Sequence, residues 1–529
     1  MQITRIPFDQ VTELSKKDSA YATGDTRLRP FYQYEVALES FKAVMEDKQK
    51  QAVDRETLVE VLSNQYDKLT DTKLQLQQIE KLKAKHCYTV TTAHQPSLFT
   101  GPLYYIYKIA STINLSRQLA KAYPDRQFVP IFVTGGEDHD FEEINHLHLF
   151  NKTITWENKE NGAVGAMHTA SLAPIIEEVQ AILGSSENAT ALVSMLRKTY
   201  LAHDRFGAAT IAFTHELFKS TELVILDMNT PALKRLFVPI MKEELLQQVS
   251  QPFIEAAAAQ LNELGFKAQA FPREINLFYL QNQSRERIVL EDEQYKILNT
   301  DLVFTKTALL EEMEKHPERF SPNVIMRPLY QELILPNLAY IGGGGEIAYW
   351  LERKAQFEHF ALNFPMLIRR NSVLWLDKGM TKRMDKLGIT SKDLFRETSD
   401  LVKAFVHEQA EEDLNIKKEK AIIDAAYESI SQIAKKVDPT LEKAILAEQT
   451  RQLKTLDQLE GRIVRAEKKK HETALSQIES LKEKLFPNLG LQERHDNFMG
   501  FYLKYGQDFL DSLVKELSPL EKGFMVIQE

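Results

Sequence analysis

The sequence predicts an α/β core built on a parallel sheet, joined to a long helical hairpin. Three observations carry this. Between Val90 and Asn145 the chain reads strand, polar loop, helix, strand, polar loop. Between Asn337 and Phe360 it reads strand, glycine run, helix. After about Lys392 apolar residues recur at spacings of seven, four and three, the pattern of an apolar helical stripe.

A chain of 529 residues is too long for one ordinary domain, so two or three are expected. With 43% hydrophobic and 27% charged residues, the composition is that of a globular protein. A formal charge of −9 argues against a nucleic-acid or membrane-surface partner, both of which reward a basic face. Cys87 is the one cysteine, which excludes an intrachain disulfide and a cysteine-rich metal site and fits a reducing compartment. The opening Met1-Gln2-Ile3-Thr4-Arg5 has no long apolar stretch behind its basic residue, so no signal peptide is expected. No run is apolar and long enough to span a bilayer.

The first 80 or so residues read as helical, with heptad-like apolar spacing from Tyr34 to Leu74. His86 to Thr92 is a short buried strand. Pro102 opens a helix, a position where its missing N–H is harmless. That helix runs through Tyr105, Ile109, Ile113 and Leu119 and stops before Pro124, and Phe128 to Thr134 is a compact apolar strand. Together they make a βαβ unit. From about Asn151 to Thr221 the pattern becomes that of an insertion. Leu223 to Asp227 is another buried strand, followed by a helix from Pro231 to Gln248. Ile275 to Leu280 and Ile288 to Leu298 read as strands of a smaller sheet. Asn337 to Ile341, the run Gly342 to Gly345 and a helix from Glu346 to Phe360 form a βα turn. Met366 to Ile368 and Val373 to Leu376 are the last strands. In the tail, a stripe from Ile416 to Val437 is broken at Asp438-Pro439 and resumes from Leu441 to Leu485, a helix of roughly 70 Å at 1.5 Å per residue. The turn permits an antiparallel hairpin, but the first arm is shorter, so the excess stripe needs the core or a second subunit to cover it.

Loops that follow parallel strands share one edge, where ligands bind. His94 and Gln95 lie on the first such loop. A histidine there can donate to a leaving oxygen. The turn resembles the first signature of class I synthetases and nucleotidyltransferases, but Ser97 stands where a second histidine would. Thr100 and Gly101 could direct backbone amides at an anion, or Thr100 could merely cap the helix. Glu137-Asp138-His139-Asp140 packs three carboxylates and an imidazole into four positions. Such density suits acid–base work or amine binding, with metal ligation a further option and no metal site assigned. Helix capping is the structural alternative, most of all for Asp140. Arg327 could bind a carboxylate bidentately, with Gln331 and Glu332 holding amide or amine groups, or these could be ordinary ion pairs. Gly343, Gly344, Gly345 and Glu346 could present backbone N–H groups to an anion. The run lacks a following Lys-Ser or Lys-Thr and is no P-loop, and no nucleophile elbow is present.

Thr100-Gly101-Pro102-Leu103-Tyr104 with Lys108-Ile109, Gly136 to Asp140 through Glu143-Ile144-Asn145, Asn323-Val324 with Arg327-Pro328-Leu329, and Gly345-Glu346-Ile347 with Tyr349-Trp350 resemble the bacillithiol-biosynthesis cysteine-adding enzyme family in order and spacing. The resemblance extends to the tail and covers nearly the whole chain. It implies a Rossmann-like parallel core with connective-peptide insertions and an antiparallel coiled-coil domain. Segments 1–150 and 301–390 would carry the two halves of the core, 151–300 the connective region with part of the core, 391–487 the coiled coil, and 488–529 a helical end. It also implies a cytoplasmic homodimer, formed through the coiled coil, that joins L-cysteine to glucosaminyl-malate. Glu137, Asp138, His139, Gln95 and His94 would be catalytic, and Thr100, Gly101, Asp140, Asn145, Arg327, Gln331, Glu332 and Gly343 to Glu346 would bind substrate. An adenine nucleotide (ATP or ADP) would sit near Arg369, Arg370, Asn371 and Asn497. One departure stands out. Other members read Gly-Gly-Gln-Gln-Ala-Gly where this chain has Thr92-Ala93-His94-Gln95-Pro96-Ser97, so His94 replaces a glutamine and Ser97 a glycine. Lys378 to Lys382 is superficially like a synthetase lysine loop and is discounted for its place beside the coiled coil. Other readings are a nucleotidyltransferase or different amide synthetase, and a dimeric coiled-coil scaffold with a vestigial pocket. Polar loops at three successive strand ends favour an enzyme.

Overall fold

The computed structural model describes residues 2–281, 283–409 and 416–529. The chain divides into two compact units. One comprises residues 5–374 and 492–525, the other residues 1–4, 375–491 and 526–529. Residues 492–525 thus belong to the larger unit instead of forming a separate helical end.

A five-stranded sheet forms the centre of the larger unit. Its strands are β1 (Cys87–His94), β2 (Gln127–Thr134), β3 (Val224–Asp227), β4 (Asn337–Gly342) and β5 (Met366–Arg369). Their order is β5-β4-β1-β2-β3, and every pair is parallel. This is the doubly wound Rossmann order, whose switch point falls between β1 and β4. The strands are almost wholly buried, which is why β2 reads as a nearly continuous apolar run, whereas β1 buries three threonines. Thr92 Oγ1 is satisfied across the ladder, donating to the Ile341 carbonyl at 2.7 Å. Helix α1 (Tyr104–Ala122) follows β1 and buries Ile106, Ile109, Ile113 and Leu119. On one face Val90, Leu115, Leu338 and Ile368 pack together; on the other, Val129, Ile131 and Leu226 meet Phe237 and Met241 of α2 (Pro231–Gln247).

Several sequence expectations are corrected. The heptad-like stretch from Tyr34 to Leu74 is no long helix; it breaks into Phe41–Lys48, Arg55–Tyr66 and the start of Lys73–Lys81. Asp54 restarts the chain by capping Thr57 N at 3.0 Å. The expected strand from Ile288 to Leu298 is a hairpin, Ser284–Glu291 and Gln294–Ile297, within an antiparallel sheet spanning residues 277–322. Its turn holds Asp292 and Glu293 at φ of 51° and 61°. Two left-handed residues match the twist of the strands, but without the usual Asn-Gly the sequence does not announce them. The helix expected from Glu346 to Phe360 is split into α4 (Gly344–Trp350) and Lys354–His359; ahead of both lies α3 (Arg327–Ile334).

In the smaller unit α5 (Lys417–Val437) and α6 (Leu441–Lys470) pack antiparallel. Asp438 tightens the turn by accepting from Thr440 N at 2.8 Å, and Lys420 bridges back to Asp457 at 2.7 Å. The second arm is not one 70 Å helix. It breaks at His471, between the Lys468-Lys469-Lys470 run that ends α6 and Glu472 that starts α7 (Glu472–Leu485); both charge signs suit the helix ends they occupy. Along the pair Ile433 stays 62% exposed and Ile463 44% exposed. No helix among the described residues is long and apolar enough to cross a membrane.

Candidate active site at the strand carboxyl ends

A cavity of about 730 Å³ opens in the larger unit, over the carboxyl ends of the parallel strands. The loop after β1 contributes His94 and Gln95, the loop after β2 Glu137 and Asp138, the end of β3 Asp227, and the loop after β4 Gly343, Gly345 and Glu346. Arg327 of α3 and Arg285 of the antiparallel sheet complete its charged wall.

His94 Nδ1 accepts from the Gln95 backbone N–H at 3.0 Å, which leaves the proton on Nε2. Burial, then the charge of Lys108, hold its imidazole down at about 3. His94 is therefore a neutral donor near pH 7 and not a general base. Gln95 donates to Glu143 at 2.9 Å.

The four residues Glu137 to Asp140 diverge. Glu137 pairs with the buried Lys234 of α2 at 2.5 Å and accepts from Ser321 Oγ at 3.0 Å. Asp138 accepts from the His139 backbone N–H at 2.8 Å, with Arg285 at 3.6 Å. Burial raises the Asp138 pKa, but bonding to His139 and the Arg285 charge outweigh it and hold the carboxyl at about 2. So poor a proton acceptor cannot be the base expected near neutral pH. His139 receives Arg285 Nη1 at 2.8 Å and is half exposed, outside the cavity wall. Asp140 caps helix Phe141–Ile144 through Glu143 N at 3.2 Å and does not line the cavity. Among the described residues no group of three histidine, cysteine or acidic side chains gathers in a metal-binding arrangement. Backbone packing fixes this loop: Val164 N donates to Asp138 O at 2.7 Å and Gly165 N to Gly136 O at 2.9 Å. A Cβ at Gly165 would lie 2.8 Å from Gly136 O, and one at Gly207 would lie 3.0 Å from Gly165 O.

At the switch point Lys108 of α1 bonds both carboxylate oxygens of Glu346, which also accepts from Tyr340 at 2.6 Å and from Gly343 N at 2.9 Å. Burial opposes the charge on Glu346, but Lys108 prevails and holds it at about 2. The Gly343 amide expected to face a ligand anion is thus taken by the protein's own carboxylate. Gly344 lies against Asp18, where a Cβ would sit 1.9 Å from the carboxyl carbon, and is off the cavity wall. Arg327 donates to Tyr349 at 3.3 Å and Gln331 at 3.4 Å, and no carboxylate of the described residues forms an ion pair with it.

Other expected site residues lie elsewhere. Gln331 and Glu332 are fully buried and bond each other at 2.9 Å, with Glu332 also accepting from Asn337. Thr100 is buried at φ 74° with no capping bond, Gly101 follows it, and Asn145 ends its helix and bonds Trp156 N; none lines the cavity. Asn497 fastens the first loop, donating to the Phe99 and Gly101 carbonyls at 3.1 and 2.6 Å. Arg369 is clamped on Asp18 and Arg370 on Glu493, while Asn371 bonds Ser518 and Ser111. Arg369, Arg370 and Asn371 border a separate cavity of about 70 Å³, and Arg370 also lines the large one, its Nε without a hydrogen-bond partner among the described residues. With Arg369, Asn371, Asn497 and the Arg370 Nη groups committed internally, the four residues as they stand leave only the Arg370 Nε for an adenine nucleotide.

Sequence reasoning missed Lys234, Asp227 and Arg285. Asp227 ends a strand on the ligand edge, a readable position. Arg285 reaches the site from a strand 146 residues beyond His139, with no local signal.

Residues 1–371 match the family model described as bacillithiol biosynthesis BshC, N-terminal Rossmann-like domain, and residues 373–529 the one described as bacillithiol biosynthesis BshC, C-terminal coiled-coil domain. A Flavobacterium johnsoniae protein named "Putative cysteine ligase BshC" is 41% identical over 515 residues, covering 97% of each chain. A protein of the same name from Flavobacterium psychrophilum is 41% identical over 99% of each chain, and one from Chlorobaculum tepidum 31% identical over 88% of this chain and 86% of its own. With both of its parts matched and full-length relatives above 30% identity, the chain belongs to the bacillithiol biosynthesis BshC family.

Proposed function

We propose that the protein is a carbon–nitrogen ligase that joins the carboxyl of L-cysteine to the amine of glucosaminyl-malate, forming bacillithiol. Full-length relatives named "Putative cysteine ligase BshC" support the reaction class. The observation that carries the reading at the level of chemistry is the charge pattern of the large cavity. Arg327 offers a cation that forms no ion pair with a carboxylate among the described residues, suited to a carboxylate of the acid-rich substrate. Arg273, Arg287 and Arg494 add positive charge to the same wall. Neutral His94 can donate through Nε2 to an oxygen that gains charge as the acyl carbon is attacked. In this reading the protein works in the cytoplasm as a homodimer held by its helical hairpin. An amide from a free carboxylate needs activation, and ATP is the co-substrate class to test.

The decisive experiment incubates the purified protein with L-cysteine and glucosaminyl-malate, with and without ATP, and reads products by mass spectrometry. The expected product has the mass of the two substrates less one water. Absence of that product under both conditions refutes the assignment. A coiled-coil scaffold would retain its oligomeric state after loss of Arg327, whereas the ligase would lose turnover.

A further inference from the structure

Five carboxylates wall the large cavity: Glu137, Asp138, Glu143, Asp227 and Glu346. Four of them have side-chain partners. Glu137 has Lys234, Asp138 has Arg285, Glu143 has Gln95 and Glu346 has Lys108. Asp227 differs: among the described residues its side chain accepts only from a backbone group, Asn229 N at 2.9 Å. Its place is nevertheless rigid. It ends β3, paired in register with Thr134, and its own N–H donates to Gln65 Oε1 at 3.0 Å. The charged groups that bear on it are Glu137, from the loop after β2, and Lys234, from α2; the buried Tyr330 phenol of α3 also faces it. Glu137 and Lys234 pair with each other at 2.5 Å, and among the described residues Asp227 forms no ion pair with Lys234.

A cavity carboxylate held in place without a cation is matched to a ligand that brings one. Resting on the ligase reading, we propose that Asp227 binds the primary ammonium of the amine substrate and takes its proton. One N–H bond of the ammonium breaks, its electron pair stays on nitrogen, and the proton passes to a carboxylate oxygen of Asp227. The amine is then neutral and its lone pair is free for acylation. Asp138 and Glu346, both held at about 2, are too weakly basic for this step. Asp227 is suited to it. Burial raises its pKa above the ordinary carboxylate value and Glu137 adds to the rise, while the Asn229 amide and Lys234 pull the other way.

The test compares wild type, Asp227→Asn and Asp227→Glu in binding and turnover. Calorimetry with glucosaminyl-malate should show binding weakened at least about tenfold in Asp227→Asn, since a neutral amide pairs poorly with an ammonium. Turnover of Asp227→Asn should fall about 100-fold or more, the scale of losing an acid–base group. Its remaining rate should climb with pH where wild type has levelled, because only the free amine reacts. Asp227→Glu keeps a carboxylate and should recover part of both properties, which also covers the case in which Asp227→Asn does not fold. If folded Asp227→Asn retains wild-type affinity, turnover and pH profile, or if folded Asp227→Glu is no better than Asp227→Asn in both binding and turnover, Asp227 is not the acceptor, while a wild type that binds and converts glucosaminyl-malate leaves the ligase reading standing. A wild type that neither binds nor converts it overturns both.

Discussion

Lys108 Nζ lies 2.9 and 2.8 Å from the two carboxylate oxygens of Glu346, across the point where the strand order of the sheet reverses. The pair ties the helix after β1 to the helix after β4 and faces the cavity. Its position makes it both a structural clasp and the electrostatic neighbour of His94.

Glu346→Gln should destabilise the larger unit by about 3 kcal/mol at neutral pH, because Lys108 is left buried without a counter-charge. The sign follows from the depressed pKa. The Glu346 carboxyl drops from 4.5 to about 2 on folding, so its contribution is complete above 4.5 and fades as pH falls towards 2. Thermal midpoints of wild type and variant should differ most near neutrality and converge in that acid window. A gap independent of pH would show that the ion pair is not its source.

His94 has the opposite character. Its folded imidazole titrates near 3 and its ordinary value is 6.5, so between those limits the unfolded chain binds the extra proton. Stability should therefore fall as pH drops below 6.5, and His94→Gln should blunt that fall. Histidine NMR should show the His94 ring neutral throughout pH 5 to 8. An inflection for it within that range would contradict the burial argument.

Ile433, Leu459 and Ile463 leave apolar side chains exposed along the helical hairpin, Leu459 by 43%. A second copy covering these side chains is expected. Sedimentation should give a dimer at micromolar concentration, and Leu459→Lys with Ile463→Lys should yield monomers. A wild-type monomer, or a double variant that remains dimeric, would place the association elsewhere or remove it.

Cys87 starts β1 with its thiol buried, and burial pushes its pKa up to about 12. A thiol so protonated is no nucleophile. Cys87→Ala should leave turnover within a few-fold of wild type and cost about 1 kcal/mol, the scale of a small core truncation. A loss near 100-fold in a folded variant, about 2.7 kcal/mol of barrier, would overturn this.

The central sheet was legible because parallel strands buried on both faces must be apolar throughout, as in Phe128 to Thr134. The helix after Pro102 and the break at Asp438-Pro439 were legible from local chemistry alone. What escaped depended on distant partners. Nothing near Glu332 in sequence shows that Lys48 lies against it, with Lys48 Nζ on the Glu332 carbonyl at 2.9 Å, and so a residue beside a site motif proves to be core. Clustered acids at Glu137 to Asp140 advertised chemistry, yet their roles separate only once Lys234 and Arg285 are placed beside them. The Asp292-Glu293 turn escaped because its left-handed backbone is set by the strands it joins.

The backbone stack of Gly136, Gly165 and Gly207 gives the insertion between β2 and β3 an unexpected status. Because a Cβ at Gly165 or Gly207 would run into the neighbouring backbone, the acid-bearing loop takes its height above the sheet from the insertion, as a shelf takes its height from a bracket. Inheritance of the site is then inheritance of the insertion as well. A lineage could trade many surface residues there freely, but even an alanine at Gly165 would move the loop that carries Glu137 and Asp138.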